Sequence, residues 1–300
     1  MQVKKLHNSG LYSKTITPYL FLAPTLVLFA VFHYIPSFAS LVMSFNEYHV
    51  FDEMKWVGLD NYVKMFKDPL FLITLWNTAK YFIIIVPSLV ILPLFIAMLV
   101  NTNLRGVYFF RLLYYMPNVI SMVSISIAWL YLFHPDGLIN ALIKVLGLYG
   151  SNAPVNWLFN PKTALPSVAF TEIWKVCGYF MVIYLAGLQS VSNELVEAVK
   201  IDGGTKKHVF FHVIIPTLRP TMAVTMTLAA INAAQIFTSV YVMTGGGPLN
   251  STYSLALYIY EEAFKYLNMG YASAMGIVLW IILMVVSILN YKFNSGKEIL

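Results

Sequence analysis

Four side chains in two apolar segments of the sequence have the chemistry to bind a small polar ligand. Asn232 and Gln235 are three residues apart, so a helix through this segment would place both amides on one face. Each amide carries a donor and an acceptor, which suits the hydroxyl groups of a sugar. Trp174 and Tyr179, in the preceding apolar segment, could stack on the apolar face of a sugar ring. The alternative is that Asn232 and Gln235 only join neighbouring helices through hydrogen bonds.

Other combinations of reactive residues indicate no catalytic or metal-binding chemistry. His208 and His212 have the i, i+4 spacing of zinc ligands, but no third ligand completes the set. Glu172 and Lys175 are expected to form an i, i+3 ion pair at the water boundary. Residues 203–206 do not match the G-x-x-x-x-G-K-[ST] pattern of a nucleotide-binding loop. We therefore predict no catalytic residue, no metal and no cofactor bound by this chain.

The composition places these residues in a membrane protein. Of the 300 residues, 59% are hydrophobic and only 11% are charged, against about 45–50% and about 25% in soluble chains. The 19 basic and 13 acidic residues are too few to cover the surface of a soluble protein of this size. The single cysteine, Cys177, excludes an intrachain disulfide and a cysteine-rich metal cluster.

Six apolar stretches are each close to the roughly 20 residues with which a helix crosses a bilayer. Backbone groups in hydrocarbon must be hydrogen-bonded within their own segment, so each stretch is predicted to be a helix and the fold class to be all-α. The predicted spans are residues 19–43, 78–100, 112–133, 165–189, 221–243 and 272–291. They form a predicted transmembrane domain over residues 19–293, between tails at 1–18 and 294–300.

The charges between the spans predict the orientation, because cytoplasmic loops are enriched in lysine and arginine. One side of the predicted membrane holds eleven basic and four acidic residues, and the other holds six basic and eight acidic residues. The more basic side contains both tails and the loop at 190–220. We therefore predict cytoplasmic termini, and the net charge of +6 is an orientation signal rather than a surface for nucleic acid.

The loop at 190–220 is the longest predicted cytoplasmic loop, and its pattern indicates two short helical stretches. The first has apolar side chains with little polar cover, and it ends at Gly203 and Gly204. The second is also apolar and is predicted to stop at Pro216. Apolar side chains exposed to the cytoplasm favour docking of another protein, and a helix lying on the lipid surface is the alternative.

This loop resembles the EAA motif of permease subunits in binding-protein-dependent ABC importers. The resemblance is carried, in residue type and in spacing, by Glu197, Ala198, Asp202, Gly203 and Pro216. Val199 stands where that family usually has a second alanine, and Gly204 stands where alanine is common. The extra glycine is expected to loosen the turn.

Nearly the whole chain is similar to the sugar-permease branch of that family, which is typified by the maltose-type and glycerol-phosphate-type permeases. The segments that carry this similarity are residues 56–62, 77–78, 174–175, 186–188, 244–248 and 269–274. The resemblance implies a type I importer permease fold with six transmembrane helices. It also implies sugar contacts near Tyr179, Asn232 and Gln235.

The resemblance further implies a transport subunit that has no ATPase activity of its own. Glu197, Ala198, Asp202 and Gly203 would form a surface that docks into a cleft of the ATPase subunit. The implied partners are a second homologous permease, two ATPase subunits that hold ATP and Mg, and an extracytoplasmic solute-binding protein. The transported solute would be a mono- or oligosaccharide or a sugar-like polyol, carried across a bacterial cell membrane.

Two other functions stay open on the residues alone. A self-sufficient secondary transporter of a small solute would usually show internal repeats and intramembrane ionisable residues. No repeat is visible, and Glu172 is the only acid within a predicted span. A membrane-embedded enzyme would need paired carboxylates, a histidine cluster or an activated nucleophile, and the sequence assembles none of these.

Overall fold

The computed structural model describes residues 17–102, 104–147 and 154–295 of the chain. Most of these residues are helical, in agreement with the predicted all-α class. Among them, five helices are long and apolar enough to cross a membrane, and counting one bent pair of helices as a single span gives six. The predicted tail at 1–18 lies outside the described residues except for its last two positions, and residues 296–300 of the other tail also lie outside them.

The helices follow one another with short connections, and some of the joints are π-helical turns. In chain order the described α-helices are α1 (Thr17–Phe29), α2 (Ile35–Ser44), α3 (Asp60–Lys67), α4 (Pro69–Val100), α5 (Val107–Val119), α6 (Met122–Leu132), α7 (Leu138–Val145), α8 (Ala164–Leu188), α9 (Asn193–Ile201), α10 (Lys206–Val209), α11 (Ile215–Thr217), α12 (Arg219–Ala234), α13 (Thr238–Met243), α14 (Leu255–Tyr260) and α15 (Met269–Ser295). The π-helical turns are Ala30–Tyr34, Phe210–Ile214 and Glu261–Lys265. Two short strands, β1 (Asn46–Glu47) and β2 (Lys55–Trp56), pair antiparallel after α2.

Helices α4, α8 and α12 pack against one another at the centre of the bundle, and α15 packs against α12 and α2. Ala229, Ala230 and Ala233 of α12 are at most 1% exposed. Their small side chains let the neighbouring helices approach closely. Helix α4 begins at Pro69, earlier than the predicted residue 78. It begins there because the Asp68 side chain accepts a hydrogen bond from the Leu70 backbone N–H (2.9 Å) and caps the helix.

The third predicted span, residues 112–133, is wrong as a single straight helix. The chain bends by 99° between α5 and α6. Ile120, which follows α5, is extended (φ −76°, ψ 142°), and Ser121 before α6 is also outside the helical region (φ −55°, ψ 138°). Pro117 and Asn118 precede this bend, but hydropathy measures the length of an apolar stretch and not its direction, so it alone could not reveal the bend.

Helix α5 packs closely along α8. A β-carbon at Gly178 of α8 would lie 1.9 Å from the carbonyl oxygen of Tyr114 in α5, so this contact requires glycine. Nearer the start of α5, the Arg111 side chain donates hydrogen bonds to the carbonyl of Val100 (Nη2 at 2.7 Å), the last residue of α4. The start and the middle of α5 are thus fixed to the two central helices.

The fifth predicted span is also interrupted. Helix α12 ends at Ala234, and α13 resumes at Thr238 after residues that leave the helical conformation. The Ile236 carbonyl, freed by the interruption, accepts a hydrogen bond from the buried Ser254 hydroxyl at 2.6 Å. Helix α13 then packs against α6. The segments that follow the two interruptions therefore lie together.

Candidate functional site

The loop at 190–220 exposes α9 to solvent. The Ser192 hydroxyl accepts a hydrogen bond from the Glu194 backbone N–H (3.1 Å) and caps the start of the helix. Leu195 is 54% exposed and Ile201 is 85% exposed, so α9 presents apolar side chains outward. Four of the residues predicted to couple to an ATPase are also exposed: Glu197, Ala198, Asp202 and Gly203. The structure thus places these residues on one accessible element.

The turn after α9 is closely packed. Gly203 has φ +77°, a left-handed conformation that favours glycine. The backbone N–H of Gly204 donates to the carbonyl of Val199 at 2.8 Å. A β-carbon at Gly204 would lie 2.5 Å from Cγ1 of Val199. The expectation that Gly204 loosens the turn is therefore wrong, because its missing side chain makes room for Val199.

The second helical stretch ends at Thr217, one residue after the predicted stop at Pro216. The chain continues from α10 through the π-helical turn into α11, and α12 begins soon after. A proline lacks the N–H group and its ring presses on the carbonyl four residues earlier, and a wider turn relieves both problems. The π-helical turn before Pro36 has the same position relative to its proline. Pro216 is half-buried within this continuous helical segment.

The segment that follows α9 is anchored to the transmembrane bundle. Phe210, Ile214 and Ile215 pack against a buried cluster that includes the final turns of α4 and α8. The Phe210 ring stacks on that of Phe95 of α4, with centroids 6.2 Å apart and an interplanar angle of 16°. A displacement of exposed α9 would therefore reach the central helices through packed side chains.

Two of the four predicted ligand contacts, Tyr179 and Gln235, have exposed side chains, and a third, Asn232, has a buried amide oxygen. Tyr179 of α8 is 40% exposed. Gln235 is exposed and is the residue at which α12 ends. The Asn232 Oδ1 atom is buried and has no hydrogen-bond partner among the described residues. Among the described residues, this oxygen therefore accepts no hydrogen bond from a neighbouring helix.

Trp174 lies on a different face of α8 from Tyr179. Five positions along a helix correspond to a rotation of about 140°. The Trp174 ring packs edge-on against Trp129 of α6 (centroids 5.3 Å apart, 72°) and lines an apolar cavity of about 840 Å³ between α4, α5 and α8. Trp174 therefore does not share a face of α8 with Tyr179.

The expected ion pair between Glu172 and Lys175 does not form. Glu172 is 7% exposed, and its Oε1 accepts a hydrogen bond from the Ser239 hydroxyl of α13 at 2.5 Å. The Lys175 ammonium instead donates to the carbonyl of Asn118 in the last turn of α5, at 3.3 Å. Sequence reasoning missed both contacts because their partners are distant in the chain and lie beside interruptions that hydropathy does not reveal.

The two histidines after α9 stabilise local structure. The Thr205 backbone N–H donates to Nδ1 of His208 at 3.1 Å, and Nδ1 of His212 is 3.1 Å from the carbonyl oxygen of His208. Across the described parts of the chain, no group of three or more His, Cys, Asp or Glu side chains is arranged to hold a metal ion.

At the opposite end of α4 from this loop, Asp68 is the centre of a hydrogen-bonded cluster. Its Oδ2 accepts hydrogen bonds from the hydroxyls of Tyr258 (2.6 Å) and Tyr271 (2.8 Å). Burial raises the pKa of Asp68, but these bonds and those from the Leu70 and Phe71 backbone outweigh burial, so its pKa is below the usual value. Burial and the bond to Asp68 raise the pKa of Tyr258. The cluster joins α4, α14 and α15.

Several curated proteins are similar to this chain over nearly its full length. The probable ABC transporter permease protein YesP of Bacillus subtilis is 35% identical over 281 residues, which cover 92% of this chain and 90% of that protein. The lactose transport system permease protein LacF of Rhizobium radiobacter is 34% identical (94% and 95% covered). The sn-glycerol-3-phosphate transport system permease protein UgpA of Escherichia coli is 30% identical (93% and 94% covered).

A solved structure has the same fold. It is the crystal structure of a bacterial ABC transporter involved in the import of the acidic polysaccharide alginate. The TM-score is 0.80 at 23% sequence identity, with 97% of this chain and 100% of that chain covered. The predicted type I importer permease fold is confirmed.

The sequence model of one protein family matches residues 74–298 of this chain. The family is described as "Binding-protein-dependent transport system inner membrane component". Its members are membrane subunits and the ATPase is a separate partner, which confirms the prediction of a transport subunit rather than an enzyme. Membership of this family excludes the alternative of a self-sufficient secondary transporter. The chain belongs to the family of inner-membrane permease components of binding-protein-dependent ABC importers.

Proposed function

We propose that this permease imports a sugar, as a mono- or oligosaccharide or a sugar-like polyol, across a bacterial cell membrane. The proposal is supported by relatives described as transporting lactose, sn-glycerol 3-phosphate and arabinooligosaccharides. An extracytoplasmic binding protein delivers the sugar to the complex. A second, homologous permease completes the pathway, and both termini of this chain are cytoplasmic.

Two ATPase subunits, which hold the ATP and Mg, drive this import through α9. The observation that carries this part is that α9 is exposed along its length yet connected at both ends to the buried centre of the bundle. Helix α8 precedes it by a few residues, and the segment containing Pro216 follows it. Glu197, Ala198, Asp202 and Gly203 form the docking surface, and Pro216 belongs to the rigid connection behind it.

The sugar contacts α8 and α12 near the interruption that follows Ala234. The Tyr179 ring offers a face for stacking, and the Gln235 amide is exposed for hydrogen bonding. The Asn232 Oδ1 atom, which lacks a partner in the described structure, is suited to accept from a sugar hydroxyl. Trp174 does not contact the sugar in this arrangement; its ring packs on Trp129 and holds α6 against α8.

The test is transport by the reconstituted complex. The compound that co-purifies with the associated binding protein is identified by mass spectrometry. Its uptake is then measured in proteoliposomes that contain both permeases and the ATPase. We expect uptake that requires both ATP and the loaded binding protein. Uptake by this chain alone under an ion gradient, without ATPase, would contradict the proposal.

A further inference from the structure

We infer that Glu172 and Lys175 of α8 are positioning residues that keep the two interrupted helices together with α8 during transport. The inference rests on the proposed function, because it concerns the conformational step of the same import cycle. Neither side chain needs to touch the sugar. Each one holds a backbone or side-chain group beside one of the two interruptions.

Glu172 holds the interruption between α12 and α13. Its partner, Ser239, is the second residue of α13 and is fully buried. A carboxyl group inside a bundle is costly unless it is hydrogen-bonded, so the 2.5 Å contact is the interaction that makes this position tolerable. Within the interruption, the Ile236 carbonyl accepts a hydrogen bond from the Ser254 hydroxyl. The break is therefore fixed by α8 and by the start of α14.

Lys175 holds the bend between α5 and α6. The final carbonyls of a helix have no partner within it, and an ammonium group is favourable at that end. The Lys175 Nζ donates to one of these carbonyls, that of Asn118, at 3.3 Å. Lys175 lies one helical turn from Glu172, so a single turn of α8 contacts both interruptions.

The two segments beyond the interruptions also contact each other. Helix α6 packs against α13, and both pack against α8. The Trp129–Trp174 contact adds a further link between α6 and α8. At its other end, α8 leads within a few residues to exposed α9. A movement of α8 that begins at α9 is thus delivered to α6 and α13 as a pair.

The experiment measures coupling in the complete complex, reconstituted with both permeases, the ATPase and the loaded binding protein. We expect Glu172→Ala to lower the maximal uptake rate by about tenfold or more, because the buried Ser239 hydroxyl loses its acceptor. The concentration of binding protein at half-maximal rate should change less than about twofold. The ratio of stimulated to basal ATP hydrolysis should fall towards one.

Conservative variants separate positioning from simple loss of packing. Glu172→Gln keeps an Oε1 that accepts from Ser239 and should restore at least half of the wild-type ratio. Lys175→Met keeps the apolar stem but loses the donor, and it should lower the ratio as Glu172→Ala does. Cys177→Ala, a control on the same helix whose side chain faces the apolar cavity, should behave as wild type.

Ser239→Ala keeps the inference testable if Glu172→Ala fails to assemble, because it removes the same hydrogen bond through a smaller change. A wild-type coupling ratio in Ser239→Ala or Lys175→Met would overturn the inference. A changed half-maximal concentration at an unchanged ratio would also overturn it, since that outcome indicates a binding contact. If wild-type complex transports no sugar, the proposed function fails instead, so the two failures are distinguishable.

Discussion

The side chain of Val199 fills the space in which a β-carbon at position 204 would lie. Its Cγ1 is 2.5 Å from that point, and its carbonyl oxygen accepts a hydrogen bond from the Gly204 N–H at 2.8 Å. These two residues are the positions at which the loop departs from the alanines common in the family motif. The larger side chain at one position and the missing side chain at the other compensate each other in space.

The compensation predicts that Gly204→Ala alone will destabilise the end of α9. Overpacking of this kind typically costs about 1–3 kcal/mol. Adding Val199→Ala should recover only part of that loss, because it removes the methyl groups but leaves the Val199 carbonyl oxygen 2.6 Å from the new β-carbon. Hydrogen–deuterium exchange of the α9 amides in the assembled complex measures the effect. Equal exchange in the single and double variants would show that the two positions are independent.

The exposed face of α9 predicts a loss of coupling without a loss of folding. Glu197→Phe should leave assembly of the complex unchanged, since the Glu197 side chain is exposed. It should reduce substrate-stimulated ATP hydrolysis by about tenfold or more, because a bulky ring blocks a docking surface that needs close contact. Lys207→Phe, which places the same ring at an exposed position outside the motif, serves as the control. Wild-type stimulation in Glu197→Phe would exclude the assigned surface.

The ligand contacts predict a graded loss of uptake. Asn232→Leu and Gln235→Leu should each reduce uptake of the co-purified sugar by about 5- to 100-fold, in line with about 1–3 kcal/mol per lost polar contact. Tyr179→Phe keeps the ring and should be milder than Tyr179→Ala. Ser88→Ala, in the cavity on another side of α8, is the matched control. Unchanged uptake in the Asn232, Gln235 and Tyr179 variants would place the sugar elsewhere.

The Asp68 cluster predicts a pH dependence of stability. The folded-state pKa of Asp68 lies below its ordinary value of 3.8, so the ionised form stabilises the fold at neutral pH. This contribution begins to decline as the pH approaches the ordinary value and is lost through the lower folded-state pKa. The melting temperature of Asp68→Asn should therefore depend less on pH between about 3 and 5 than that of wild type.

Melting temperatures measured by differential scanning fluorimetry over this range provide the check. Asp136→Asn is the control, because the Asp136 side chain is 91% exposed. The difference between each variant and wild type isolates one carboxyl group from the others that titrate nearby. If Asp136→Asn and Asp68→Asn flatten the profile equally, the cluster has no special role in acid stability.

Hydropathy predicted five spans that are long apolar helices in the described residues and a sixth that is the bent pair α5 and α6, because bilayer thickness sets the length of an apolar helix. It could not predict the bend after Val119, since hydropathy does not measure the direction of the chain; Pro117, two residues earlier, was the local signal. The interruption after Ala234 contains neither glycine nor proline, so it lacked a local signal. The stop at Pro216 was predicted to within one residue, because α11 ends at Thr217, but the π-helical turn before the proline was not predicted.

The candidate site was predictable to the extent that it depends on local spacing. Four residues of the loop motif lie on α9 or directly after it, and the structure exposes them together: Glu197, Ala198, Asp202 and Gly203. Glu172 and Lys175 were assigned to each other because they are neighbours on a helix. In the folded bundle, partners from α13 and α5 compete more strongly, and Ser239 is 67 residues away in the chain. Which group a buried side chain binds depends on tertiary contacts, and the spacing of residues in the sequence does not reveal these contacts.

The π-helical turn before Pro216 has a mechanical consequence. If the residues before Pro216 were not helical, the segment that follows α9 would be flexible, and a displacement of α9 would not reach the bundle. Because the widened turn keeps the segment helical, α10, α11 and the turn between them act as a stiff strut against the bundle. The turn at Gly203 and Gly204 is itself closely packed against Val199, so a displacement of α9 is passed on to this helical segment. A displacement of α9 by the ATPase would therefore move this rigid helical segment and, through it, the bundle.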